Sequence, residues 1–302
     1  MWVEDNVPQG AKFCFNLPYR TSEESVEPTT TPSKLDNQGD TPSKSDGSTH
    51  YRILFVDDNH DLCQFIEESL ADEFDILCAH DGVEALDLLR HRDIHLVVSD
   101  VMMPKMNGLE LCNHIKSHIE WSHIPVLLLT AKAADQSKME GLQQGADDYL
   151  TKPFDLELLR LRIRKFIEWA NRCHHQFDEH RDVTVASQIT LTPLDEKLLQ
   201  RAIELVEKNL ANADFGVETM CHEIGMSRSG LYKKLMAITG KSTNDFIRAI
   251  RMKHAKQLIE QRELQITEIA YAVGYNALKT FTENYKQEYG ITPSEYARSL
   301  NR

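Results

Sequence analysis

The chain has 302 residues, 41% of them hydrophobic, and its 34 Lys and Arg against 47 Asp and Glu give a formal net charge of −13. That length suffices for two domains with separate cores, no apolar run approaches the roughly 20 residues of a membrane span, and the N-terminus lacks a signal-peptide pattern. A cytoplasmic chain without membrane contact is expected. The acidity is uneven: residues 183–302 carry 16 Lys and Arg against 14 Asp and Glu, a net +2, whereas residues 1–182 carry 18 and 33, a net −15. A near-neutral C-terminal part can still bind DNA if its basic residues gather on one face.

Residues 1–20 are too few for a domain, yet GAKFCFNLP (10–18) alternates apolar and polar residues like a strand and ends in Pro. It resembles the last strand of the ATP-binding domain of sensor histidine kinases, which makes 1–20 a remnant of such a domain or a disordered leader. Residues 21–50 are rich in Ser, Thr, Pro and Asp and repeat TPSKLD (31–36) as TPSKSD (41–46). Such a stretch has too little apolar surface to order itself, so it is expected to be a disordered linker. Six scattered cysteines (Cys14, Cys63, Cys78, Cys112, Cys173, Cys221), with no CxxC pair or zinc-like spacing, suggest reduced and mostly buried thiols.

From residue 51 to about 170, short apolar runs (53–56, 96–98, 126–129, and the shorter Tyr149-Leu150) alternate with helical-period segments, a βαβ pattern. Asp57, Asp58, Asp100, Thr130 and Lys152 each follow one of these runs, which places them at the carboxyl rim of a parallel sheet, where ligands bind. Asp58 to Asp100, Asp100 to Thr130 and Thr130 to Lys152 are separated by 42, 30 and 22 residues, room for a crossover between successive sites. A phosphatase of the haloacid-dehalogenase type also uses a rim Asp, but it needs a second acid two residues later, where this chain has Met102.

The surrounding segments FVDDN (55–59), SDVMMPKMNG (99–108), LLLTAK (127–132) and DDYLTKPF (147–154) resemble the receiver domain of bacterial response regulators over about 120 residues. The resemblance implies a flavodoxin-like domain with a five-stranded parallel sheet over 51–170. Mutually repelling carboxylates call for a hard divalent cation, and oxygen ligands suit Mg²⁺, held by Asp57, Asp58 and Asp100; the resemblance implies the main-chain carbonyl of Met102 as a further ligand. Asp100 is then the phosphoacceptor, with Lys152 stabilising charge on the transferring group and Thr130 bonding a phosphoryl oxygen; the resemblance implies that Tyr149 turns inward when that threonine moves. The added charge of about −1.5 to −2 can bias a two-state packing, remodelling the face of the fourth and fifth receiver helices. A phosphohistidine-bearing sensor kinase is the implied donor, in cis or in trans.

A polar stretch over 171–193 reads as a second linker, and from 194 to 302 the pattern is helical. Cys173, His174, His175 and His180 within that stretch have irregular spacing and read as a solvated helix end rather than a metal site. MCHEIGMS (220–227) and IAYAVGYN (269–276) repeat one pattern at an offset of 49 residues. In each, glycine permits a tight turn between helices, and Ser227 or Asn276 can cap the next helix, so two helix-turn-helix units are expected. Val217, Met220 and Ile224 mark the buried face of the first supporting helix, and Leu231 with Leu235 that of the following one. Arg228, Ser229, Tyr232 and Lys233 are left outside for groove contacts. In the second unit Lys279, Thr280, Glu283 and Lys286 face outward, with Phe281 and Tyr285 in the core. A long helix from about Ser242 to Gln261 joins the units, so two reading helices could reach successive major grooves about 34 Å apart.

The segments SRSGLYKKLMAITG (227–240), FIRAIRMKHAKQLI (246–259), ITEIAYAVGY (266–275) and YGITPSEYARSL (289–300) resemble, in that order, the DNA-binding domain of the AraC family. Thr280 stands where that family usually has an aromatic residue, and Glu283 where it often has Arg. A carboxylate there repels phosphate, although it can accept from cytosine N4. The expectation is a phosphorylation-controlled transcription regulator that binds double-stranded DNA and dimerises when phosphorylated. It resembles the C-terminal part of hybrid two-component regulators. No phosphoacceptor His of a kinase and no nucleotide-binding boxes occur, so no enzyme activity of its own is expected. A constitutive receiver-mediated dimer is the alternative, and RNA binding lacks the interleaved aromatic platform.

Overall fold

The computed structural model describes residues 2–5, 11–14, 51–131, 145–180 and 185–300. The chain divides into two compact units, Met1–Ser48 and Thr49–Arg302. In the first, β1 (Trp2–Asp5) and β2 (Ala11–Cys14) pair antiparallel, with Trp2 opposite Cys14 and Asp5 opposite Ala11. β2 falls within the strand expected over 10–18, whereas the linker expected over 21–50 lies outside the described residues.

The second unit contains β3 (Arg52–Val56), β4 (Asp75–Ala79), β5 (Leu96–Asp100), β6 (Val126–Ala131) and β7 (Asp148–Lys152). They form one parallel sheet of five strands in the order β4-β3-β5-β6-β7, the flavodoxin-like arrangement. Because the chain leaves β3 toward one edge and returns on its other side at β5, a crevice opens between the carboxyl ends of these two strands. Asp57 follows the first of them and Asp100 ends the second.

Alternation along the strands builds a core on each face of the sheet. Leu54, Val56, Val97 and Leu128 pack with Ala85, Leu89, Leu111 and Ile115 from α2 (Gly82–His91) and α3 (Gly108–Ser117). Ile53, Phe55, Leu96, Val98, Leu127 and Leu129 pack with Cys63, Ile66, Leu159 and Ile163 from α1 (His60–Leu70) and α4 (Leu156–His180). Asn59, Asp81 and Asn107 cap α1, α2 and α3 through their side-chain oxygens, so helix starts are fixed next to the rim. Residues 132–144, between β6 and β7, lie outside the described residues, and with them the fourth receiver helix named in the sequence reading.

Gly108 lets α3 begin directly against β5. A Cβ there would collide with the Asp100 carbonyl oxygen and come within 3.0 Å of Ser99 Oγ, and its own amide donates to Val101 O at 3.0 Å. A side chain at this position would displace the strand end that carries Asp100.

The segment 171–193 differs from the solvated connector that its polarity suggests. α4 continues without a break to His180, and its Cys173 and Phe177 enter one core with Val185, Ala186 and Ile189, the last two in the short α5 (Ala186–Ile189). The buried positions are spaced for one helix face among charged residues, so average polarity conceals them. Cys173 is therefore buried, and His174 Nε2 lies 3.0 Å from the Ala237 carbonyl oxygen. Among the described residues these two are not brought together with His175 and His180 into a metal-binding group.

The remaining described chain is helical: α6 (Pro193–Lys208), α7 (Val217–Ile224), α8 (Arg228–Thr239), α9 (Thr243–Gln261), α10 (Ile266–Ala272), α11 (Leu278–Tyr289) and α12 (Pro293–Ser299). α9 divides its buried residues between two cores. Phe246, Ile247 and Ile250 join the first helix pair, while Met252, Ala255 and Ile259 join the second. It is the rigid connector that the repeat requires. No described helix is long and apolar enough to cross a membrane.

Candidate functional sites

At the rim, Asp57, Asp58 and Asp100 bring carboxylate oxygens within 4.8 Å of one another, Asp57 and Asp100 buried and Asp58 exposed. β3 and β5 position the buried two, because Val56 pairs with Ser99 in the parallel register. Lys152, the last residue of β7, reaches across: its Nζ lies 2.6 Å from Asp57 Oδ2 and 3.0 Å from Asp100 Oδ2. Burial pulls its pKa down, but hydrogen bonds and charge attraction from the two aspartates outweigh this and leave it above the usual lysine value. Asp57 Oδ1 also accepts from the Asn59 amide at 3.0 Å, and Asp100 Oδ1 from the Val101 amide at 2.8 Å.

Three acidic oxygens with one cation among them are a donor set for a hard divalent ion rather than a soft one. Met102, beside them, is 75% exposed. Thr130, at the end of β6, is buried, and its hydroxyl donates to Ala131 O at 3.3 Å. Tyr149 packs its ring with the core of α2 and α3. Its hydroxyl is buried without a hydrogen-bond partner among the described residues, and burial raises its pKa to about 12. The sequence reading missed the layer beneath Asp57: Cys63 Sγ donates to the Asp57 carbonyl at 3.3 Å, and His80 Nδ1 lies 3.3 Å from the same oxygen. The spacing of these residues carried no signal.

In the first helix-turn-helix unit, Gly225 ends α7 at φ +80°, a left-handed conformation that favours glycine. Ser227 then caps α8, its Oγ accepting from the Gly230 amide at 3.0 Å. Met220, Ile224, Leu231 and Leu235 are buried as expected, Val217 only partly, while Arg228, Ser229, Tyr232 and Lys233 are exposed. In the second unit Phe281 and Tyr285 are fully buried, with Lys279, Thr280, Glu283 and Lys286 outside. Asn276, however, does not cap α11. That helix starts one residue later than the repeat implies, after Ala277, which has no side-chain oxygen to offer. The turn after Gly274 holds one more residue than the turn after Gly225.

The outward residues of α8 are not all free. Lys233 Nζ lies 2.6 Å from Asp93 Oδ1, in the loop between α2 and β5. Lys234, on the inner side, is fully buried with Asp195 at 2.5 Å.

Residues 53–164 match the family model of the response regulator receiver domain, and residues 220–299 that of a helix-turn-helix domain. The chain is 37% identical over 163 residues to response regulator MprA of Mycobacterium avium, covering 53% of this chain and 69% of that protein. It is 41% identical over 244 residues to histidine kinase P4 of Formosa agariphila, covering 81% of this chain but only 18% of the kinase. A chemotaxis response regulator of Vibrio cholerae, CheY4, aligns in its solved structure at 31% identity and a TM-score of 0.37, over 39% of this chain and 99% of that one.

Proposed function

The chain belongs to the response-regulator family, and from that premise we propose that it is a transcription regulator switched by phosphorylation of Asp100. The observation that carries the proposal is the convergence of Asp57, Asp58, Asp100 and Lys152 at one rim, in a chain that also holds a helix-turn-helix domain of the AraC type. Neither matched domain is a kinase catalytic domain. The phosphoryl donor is a phosphohistidine of a sensor kinase, a reading supported by the match to a protein named as a histidine kinase.

An Asp100 carboxylate oxygen attacks phosphorus in line, the P–N bond breaks, and its electron pair leaves with the imidazole. The product is an acyl phosphate. Lys152, already beside Asp100, meets the equatorial oxygens as charge develops there. A Mg²⁺ ion held by Asp57, Asp58, Asp100 and the Met102 carbonyl would supply further positive charge for those oxygens. The Thr130 hydroxyl then bonds a phosphoryl oxygen, and Tyr149, whose buried hydroxyl has no partner among the described residues, follows the threonine. Arg228, Ser229, Tyr232, Lys279 and Thr280 contact duplex DNA, joined by Lys233 once its pairing with Asp93 is released, and phosphorylated chains associate as dimers that present more reading helices.

The test is the DNA affinity and molecular mass of the chain with and without acetyl phosphate and Mg²⁺. Tighter binding and a doubled mass are expected with both reagents, and identical values in their absence would sink the switch. The metal reading has its own check in thermal unfolding. Mg²⁺ at a hundredfold excess over its Kd should stabilise the chain by about 2.7 kcal/mol. Asp58→Asn should remove that gain, while raising metal-free stability slightly because one of three mutually repelling carboxylates is gone.

A further inference from the structure

The loop between β5 and α3 is pinned at its root and twice at its tip, and Met102 lies between. At the root the Gly108 amide donates to the Val101 carbonyl at 3.0 Å, and the Val101 amide to that of Leu129 at 3.0 Å. At the tip the Gly82 amide, which opens α2, donates to the Met106 carbonyl at 3.2 Å. Met106 lies so close to Gly82 that a Cβ there would come within 2.6 Å of its Cγ. The second hold on the tip is an ion pair, with Lys105 Nζ 2.5 Å from Asp81 Oδ2. Asp81 Oδ1 is left to cap α2, accepting from the Val83 and Glu84 amides at 2.9 and 3.0 Å. Asp81 is buried and Lys105 exposed.

Lys105 stands at φ +62°, a left-handed conformation that glycine adopts freely and lysine does not. A residue stays in such a conformation where its surroundings hold it there, and the pairing of its ammonium with Asp81 does so here. Met102 has no comparable hold of its own. Its side chain is 75% exposed, so the direction of its carbonyl follows from where the loop is pinned on either side of it.

We infer that Lys105 and Asp81 form a clamp that aims the Met102 carbonyl at the metal position beside Asp57, Asp58 and Asp100, with Lys105 a positioning residue that itself touches neither the ion nor the phosphoryl group. The inference rests on the reading of Met102 as a main-chain ligand of Mg²⁺. Groups that orient a ligand govern metal affinity alongside the ligands themselves. The clamp also predicts a sign that charge alone does not. A lysine ammonium near the rim repels Mg²⁺ through space, so on that account its removal tightens binding. As a clamp, its removal frees the carbonyl and weakens binding.

Calorimetric titration of the full chain with Mg²⁺ is the test. Lys105→Met should raise the Kd about three- to tenfold. Asp81→Asn should do the same, since it keeps an oxygen for the α2 cap but presents no charge to the lysine. The double variant should bind no more weakly than either single one, because both remove the same contact. In phosphoryl uptake from acetyl phosphate, the half-saturating Mg²⁺ concentration of Lys105→Met should rise by the same factor as the Kd, with the rate at saturating Mg²⁺ within about twofold of the parent. An unchanged or lower Kd for Lys105→Met, effects that add in the double variant, or a loss confined to the saturating rate overturns the clamp while the metal reading stands. A parent chain that titrates with Mg²⁺ no differently from Asp58→Asn overturns the metal reading, and the clamp with it.

Discussion

Asp100→Asn is expected to reduce phosphoryl incorporation from acetyl phosphate to background while leaving the fold intact. Asn keeps the size of the side chain and an oxygen that can still accept from the Val101 amide, as Asp100 Oδ1 does at 2.8 Å. It loses the negative charge that faces Lys152 at 3.0 Å and, with it, the nucleophile. Stability should not fall, because one of three clustered carboxylates has been neutralised. Intact mass after an acid quench reads the outcome: one added phosphoryl group on the parent chain and none on the variant. Equal incorporation would move the acceptor to Asp57 or Asp58.

The rim site was legible because its parts are local. Each chemical residue follows an apolar run that ends where a strand ends, and strand ends in a parallel sheet converge whatever the loops do. The continuous apolar runs fit the cores on both faces of the sheet, because a strand buried on both sides carries no polar face. Two expectations missed for separate reasons. Asn276 was assigned a cap by analogy with Ser227, but cap position depends on the length of the turn, which a repeat alignment does not fix. The stretch 171–193 looked like a linker because composition averages over a helix, whereas burial belongs to one side of it, as Cys173 and Phe177 show. The contacts between receiver and α8 were not readable at all. Ser122 meets Asp195 across 73 residues and Lys234 across 112, and nothing near any of the three marks a partner.

The buried Arg251 of α9 leads to the second large effect. Its Nη2 donates to the carbonyls of Asn212 at 2.7 Å and Phe215 at 3.3 Å, and its Nη1 to that of Gly274 at 3.4 Å. Asn212 and Phe215 belong to the loop before α7, and Gly274, at φ +79°, to the turn before α11. One guanidinium thus ties both helix-turn-helix units to their connector. The close approach leaves no space for a side chain at Gly274, where a Cβ would collide with the Leu210 carbonyl oxygen. Arg251→Met keeps the aliphatic stem but removes every donor, leaving three loop carbonyls without their bond. The expected loss is about 2–5 kcal/mol, a fall in Tm on the order of 10 °C for a domain of this size. Phosphoryl uptake at Asp100 should be untouched, since the rim does not depend on this helix. DNA affinity measured well below the lowered Tm should nevertheless drop, and more for a site spanning both units than for a half-site, because two reading helices that hinge independently no longer arrive in register. A stability loss below about 1 kcal/mol with an unchanged ratio of full-site to half-site affinity would mean that apolar packing along α9, from Phe246 to Ile259, holds the two units without the arginine.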